Sequence, residues 1–182
     1  MFYLLTLIVA ASRFLPHPPN VVCLGAIGLF AGCYLAGRRA YLVPLAVLLL
    51  SDILGHLLGI AGMGFYHPVT MLGVYGGAML AVPLGRVMKM KSQNAGLSGK
   101  ALRLLGGSLS ASTVFFLVSN FGVFLGPWYP ATLGGLVACY TAAIPFYGYT
   151  IAGDLIFTTL LFAAWQFSWR PQPAVALSAA VE

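Results

Sequence analysis

The stretch Tyr41-Leu-Val-Pro-Leu-Ala-Val-Leu-Leu-Leu-Ser-Asp-Ile-Leu-Gly-His-Leu-Leu-Gly-Ile60 decides the fold. At about 1.5 Å per residue a helix of this length covers about 30 Å, the hydrocarbon thickness of a bilayer. It is apolar apart from Ser51, Asp52 and His56. Residues four apart share a helix face, so Asp52 and His56 are expected to point the same way. An ionisable side chain within a membrane span is a functional-site hypothesis by default.

Composition agrees with a membrane location. Of 182 residues, 60% are hydrophobic and only 7% charged, against roughly 25% charged in a soluble domain. The sequence therefore reads as an all-α integral membrane protein. Residues 1–170 form a single transmembrane domain, and residues 171–182 a disordered cytoplasmic tail. The net charge of +6 is explained by lysines and arginines gathered in connections between spans. No basic stretch carries interleaved stacking aromatics, so no nucleic-acid partner is expected. Cys23, Cys33 and Cys139 fall in apolar segments without CxxC spacing, which points to buried thiols and to neither a metal site nor disulfides.

Six spans follow in order, with one extra short re-entrant or interfacial helix. The first is Phe2 to Leu15, ended by the stiff connection Pro16-His-Pro-Pro-Asn20. Val21 to Gly37 is the second, with Gly28, Gly32 and Ala36 at four-residue spacing, and Tyr41 to Ile60 the third. The fourth, Val69 to Met88, carries Gly73, Gly77, Ala81 and Gly85, a small-residue ladder whose partner lies either within the bundle or on another subunit. Arg86 to Arg103 reads as a long polar connection, and Leu104 to Leu125 as the fifth span. Ala131 to Ala143 is too short to cross and supplies the extra helix. Tyr147 to Trp169 is the last span.

With six crossings, Arg38, Arg39, Arg86, Lys89, Lys91, Lys100, Arg103 and Arg170 share one side, and Arg13 stands alone on the other. The positive-inside rule then places both termini in the cytoplasm, in the inner (cytoplasmic) membrane. On this topology Arg13, Asp52, His56, Asn120 and Asp154 all fall in the outer half, as a pocket floor. The outer connections hold His17, Asn20, Tyr66, His67, Trp128 and Tyr129, with Asn20 joining the floor and the others forming a lid. Each has a second reading. Asp52 and His56 could be a hydrogen-bonded pair tying helices together, with Arg13 as a partner, and Asn120 could bond across helices. Asp154 could complement a helix macrodipole, and Trp128 and Tyr129 could anchor at the headgroups.

The segments Arg13-Phe-Leu-Pro-His-Pro-Pro-Asn20, Gly25-Ala-Ile-Gly-Leu-Phe-Ala-Gly32, Phe115-Phe-Leu-Val-Ser-Asn-Phe-Gly122 and Gly153-Asp-Leu155 resemble a family of small bacterial membrane proteins. That family is described as similar to the substrate-binding S components of energy-coupling factor (ECF) transporters. The resemblance implies an S-component-like six-helix bundle that takes up a vitamin or similar micronutrient without enzymatic activity or a resident cofactor. ECF coupling subunit and ATPases would be its partners, or it would act solitarily. Ala10 and Ala11 are adjacent, where S components space two alanines four apart for docking. No Walker motif occurs, so ATP hydrolysis would belong to partners. Cobalamin is the first substrate expected, with His67 the available cobalt ligand. The alternatives are a structural or assembly subunit using the Gly73–Gly85 ladder, and an intramembrane enzyme. For the enzyme, Gly153-Asp154 resembles intramembrane aspartyl proteases, but Ile151 and Ser51 depart from that pattern.

Overall fold

A computed structural model describes residues 1–60, 63–92 and 96–168. The regular elements among them are all helical. Helix α1 covers Phe2–Ala11 and tightens into a 3-10 turn, Ser12–Phe14. Then come α2 (Leu24–Tyr34), α3 (Arg39–Leu57), α4 (Pro68–Met79), α5 (Ala81–Ser92), α6 (Leu97–Phe124) and α7 (Leu133–Ser168). The stretches Arg39–Leu57, Pro68–Lys89, Ser98–Phe124 and Leu133–Ser168 are long and apolar enough to cross a membrane, which makes this a helical membrane protein. Phe2–Phe14 and Leu24–Tyr34 are shorter. The tail expected over residues 171–182 lies outside the described residues.

The shortness of α2 has local causes. Leu35 is extended (φ −104°, ψ 144°) and Gly37 adopts φ +58°, a conformation that favours glycine. The helix therefore stops before the expected Gly37. Every residue from Leu24 to Cys33 is buried, so α2 is the central strut, packed against α3, α5, α6 and α7. Its small residues allow this. A Cβ on Gly32 would overlap the Val82 carbonyl, and one on Gly85 the Leu29 carbonyl. The backbones of α2 and α5 thus lie in contact, as small-residue interfaces in lipid permit.

The Gly73–Gly85 ladder divides between two partners within the chain. Gly73 meets Gly122 and Val118 of α6, and Gly77 meets Phe115. Ala81 abuts Gly28 of α2, and Gly85 abuts Leu29. The division falls at Leu80, between α4 and α5. Pro83, which has no N–H, cannot bond back to Met79 and so favours the break. The ladder is an internal seam and presents no surface to another subunit.

Two further expectations are corrected. Ala131 to Ala143 is not a separate re-entrant or interfacial helix, because α7 runs unbroken through Pro145 from Leu133 to Ser168. Thr132 caps its start, its Oγ1 accepting the Gly135 N–H at 3.1 Å. The first turns pack on α6, where the Tyr140 hydroxyl donates to the Leu117 carbonyl at 2.6 Å. A 36-residue helix is about 54 Å long, well beyond the hydrocarbon thickness. The long polar connection expected over Arg86 to Arg103 is largely helical among the described residues, since α5 continues to Ser92 and α6 begins at Leu97.

The passes alternate between two ends. At the end bearing the start of α1 and the close of α7, the rings of Phe2 and Phe30 stack at 4.7 Å. Tyr34 and Trp165 lie 4.7 Å apart beside them. The same end holds Lys89, Lys100 and Arg103, and Arg86, which donates to the Gly37 carbonyl. The opposite end holds Arg13, the Pro16–Asn20 connection and the close of α3.

The packing predicts unequal tolerance among glycines. Gly32→Val should lower stability in detergent by about 2–3 kcal/mol through overpacking. Gly76→Ala, where a Cβ meets nothing within 4 Å, should be neutral or slightly stabilising. Thermal unfolding followed by circular dichroism would measure both.

Candidate functional site

Arg13 sits in the 3-10 turn because α1 must end there. Leu15, preceding Pro16, is extended (ψ 149°), as residues before proline prefer. The turn aims the guanidinium at the last turns of α3. Its Nη2 donates to Asp52 Oδ1 at 2.9 Å, and its Nη1 to the Ser51 hydroxyl. Ser51 is free to accept because its own proton goes to a backbone carbonyl, Val47 at 2.6 Å or Leu48 at 2.9 Å. The Tyr75 hydroxyl of α4 completes the group, donating to Asp52 Oδ2 at 3.0 Å. Arg13 and Asp52 are both buried. The pair is net neutral and its oxygens and protons are shared among four side chains, the condition under which buried charge is tolerated.

His56 does not join them. It is exposed, one turn beyond Asp52, with its ring 6.0 Å from that of Phe65. The shared face proposed for Asp52 and His56 is therefore not a shared site: Asp52 turns toward Arg13 and Tyr75.

Asp154 serves a different structure. It is 1% exposed. Its Oδ1 accepts the backbone N–H of Ala26 at 3.2 Å, and its Oδ2 the Ser112 hydroxyl at 2.7 Å. The first turn of α2 has no side-chain cap of its own and exposes N–H groups without intrahelical partners. Asp154 fills that role from across the bundle, at the positive end of the α2 dipole. The macrodipole it complements belongs to α2, not to its own helix. Glycine at position 25 is required there, since a Cβ would fall on the Asp154 carboxylate. Asp52 and Asp154 share no partner among the described residues, so they form no acid pair.

Two clefts open at this end of the bundle. The larger, of 570 Å³, is lined by Arg13, Phe14, Leu15, Pro16, His17, Pro19, Asn20, Val22, Ile60 and Met63. The smaller, of 170 Å³, lies between α4, α6 and α7, with Asn20, Ser119, Asn120 and Thr150 among its walls. Asn20 borders both. Its φ of +65° follows Pro19 in a turn closed by the Val21 N–H on the Pro18 carbonyl at 3.1 Å. Proline followed by a left-handed asparagine suits a type II turn. The Asn120 amide donates to the Phe116 carbonyl of its own helix at 2.7 Å.

The structure thus brings Arg13, His17 and Asn20 to one cleft, and Asn20 and Asn120 to the other. His17 is exposed, its Nδ1 3.0 Å from the Pro18 carbonyl. Tyr66 and Trp128 are exposed away from both clefts, and Tyr129 lines neither. His67 precedes α4, and its Nδ1 is buried without a hydrogen-bond partner among the described residues. No group of three or more metal-ligating side chains occurs among the described residues. Sequence reasoning missed Tyr75 altogether. Its signal was a phenol within an otherwise apolar, glycine-rich span, where a hydroxyl needs a partner.

The sequence profile of a family described as a family of unknown function (DUF6580) matches residues 1–175. The chain belongs to that family. No curated protein and no solved structure matches it.

The network predicts a graded response to substitution. Asp52→Asn should lower stability by about 3 kcal/mol by leaving the buried guanidinium uncompensated. Tyr75→Phe should cost about 1 kcal/mol, and His56→Ala less than about 0.5 kcal/mol. Combining Arg13→Met with Asp52→Leu should recover most of the loss. Equilibrium unfolding in mixed micelles would rank the four.

Proposed function

We propose that this chain is a non-enzymatic, outward-facing solute-binding protein of the cytoplasmic membrane, similar to the S components of ECF transporters, that captures a vitamin-sized micronutrient. The observation that carries the reading is the 570 Å³ cleft in which Arg13, His17 and Asn20 meet apolar walls. A concave, mostly apolar site with a few convergent polar groups is the usual form of a small-molecule site. The cleft lies at the end of the bundle opposite Lys89, Lys100 and Arg103, so the positive-inside rule would turn it outward. In this reading Phe2–Phe14 and Leu24–Tyr34 complete six crossings and both termini are cytoplasmic.

The geometry favours a narrower set of ligand contacts than the sequence suggested. Arg13, His17, Asn20 and Asn120 border cavities, whereas Asp52 and Asp154 are committed to Arg13, Tyr75, Ser112 and the start of α2. The aspartates hold the walls and the connection residues meet the solute. Energy coupling would be supplied by partner ATPases, or the chain would bind alone. A cobalamin would require His67 to turn its ring outward. A structural subunit is the second reading, favoured by the engagement of both Asp52 oxygens by Arg13 and Tyr75.

Native mass spectrometry and absorbance of the purified chain, before and after incubation with a vitamin panel including cobalamins, would test this. A retained compound should be lost in His17→Ala and in Asn20→Gly, which keeps the turn, with the melting temperature unchanged. Loss in His67→Ala with a shifted cobalamin spectrum would identify a cobalt contact. No uptake from the panel, with melting unaffected by any compound, would favour the structural subunit.

A further inference from the structure

The end of the bundle opposite the clefts carries a second, chemically different cavity. It measures 280 Å³ and is lined by Cys33 and Tyr34 at the close of α2, Met88 and Lys89 of α5, Lys100, Arg103 and Leu104 of α6, and Phe162 and Gln166 of α7. Three cations thus stand around an apolar floor. Lys100 and Arg103, three residues apart on α6, share a helix face. They lie within the first turns of that helix, which has no acidic residue in its first turn and no side-chain cap. The positive end of the α6 dipole adds to their charge.

No carboxylate among the described residues answers these cations. The chain has three acidic residues, Asp52, Asp154 and Glu182. Asp52 is held by Arg13, Asp154 by Ser112 and α2, and Glu182 lies outside the described residues. The other arginines with buried or fixed heads have partners. Arg13 has its ion pair, and Arg86 donates to the Gly37 carbonyl at 2.8 Å and lies 5.0 Å over the Tyr41 ring. Arg103 differs: its Nη1 is buried and has no hydrogen-bond partner among the described residues. A buried guanidinium nitrogen left without an acceptor bears its full desolvation cost, which an anionic ligand would relieve.

We infer that this cavity seats a phosphate group, and that the phosphate belongs to an anionic phospholipid of the adjoining leaflet. A guanidinium fork matches two phosphate oxygens at once, with Lys89 and Lys100 contributing charge from either side. Tyr34, Met88, Leu104 and Phe162 offer the upper acyl chain an apolar wall that a small inorganic anion does not need. Basic pockets between membrane helices on the cytoplasmic side are suited to such headgroups. The inference is independent of whether the opposite cleft captures a solute.

The test uses the full chain in detergent, with native mass spectrometry of adducts formed from equimolar phosphatidylglycerol and phosphatidylcholine. The wild-type chain should retain phosphatidylglycerol about tenfold better, a preference of about 1.4 kcal/mol. Arg103→Gln and Lys100→Gln should each bring the preference close to unity. Arg103→Lys, which keeps the charge but not the fork, should fall between them and the wild type. Arg39→Gln, on an exposed residue outside the cavity, should leave the preference intact. Displacement of phosphatidylglycerol by millimolar inorganic phosphate, sensitive to Arg103→Gln, would keep the phosphate site but overturn the lipid as its source. Equal retention of the two lipids, or an undiminished preference in both glutamine variants, would overturn the site itself.

Discussion

Asp154 reaches from α7 to the first turn of α2, and the bundle is arranged round that contact. Helix α2 is buried along ten consecutive residues, so water cannot supply acceptors for its leading N–H groups. In a membrane protein the acceptor has to come from the protein itself. A carboxylate suits the place because it meets both the unpaired donors and the positive end of the helix dipole. Gly25 and Gly153 make room for it. A Cβ on the first would meet the carboxylate, and one on the second would come within 3 Å of the Val22 backbone.

Around this strut, polar groups divide by what they have left to give. Asp52 and Asp154 have spent their lone pairs on Arg13, Tyr75, Ser112 and Ala26. They are stiffeners, and their burial reflects mutual satisfaction. His17 and Asn20 stand on a connection stiffened by Pro16, Pro18 and Pro19, at the mouth of a cleft, with side chains that still face open space. Arg103 at the other end is in neither condition, being buried on one nitrogen that has no partner among the described residues. The two ends of the molecule therefore offer different chemistry, neutral and mixed at one, cationic over an apolar floor at the other.

The membrane character and helical class were legible because they rest on composition and on the length of apolar runs. The start of α4, expected at Val69 and found at Pro68, and a stop to the first helical segment ahead of Pro16, expected at Leu15 and found at Phe14, were nearly legible because proline states its restriction in the chain. The continuity of α7 was not. Ala131 to Ala143 and Tyr147 to Trp169 read as two segments in one dimension, whereas packing of Cys139, Tyr140 and Tyr147 along α6 carries one helix through Pro145. The partners of Asp52 were legible only in part: Arg13 was a candidate, Tyr75 was not. Helical spacing offers His56, but the competing Arg13 lies 39 residues away in the chain and Tyr75 is in another helix. Spacing arguments see neighbours on one element and miss those that the fold delivers from others. The Gly73–Gly85 ladder shows the same limit, for its periodicity announced a seam without telling that the seam changes partner at Leu80.

The placement of Asp154 also bears on how the protein is made. Ala26 and the carboxylate that satisfies it are separated by 128 residues. Helix α2 is synthesised well before α7, which brings its acceptor. Until then its leading donors must stay near the membrane surface or borrow another partner, and the segment is too short to span comfortably by itself. Completion of the core therefore waits until α7 has been made. The central strut is translated before α7 and settles only with it, so truncation within α7 removes more than one helix: it leaves the middle of the bundle without its anchor.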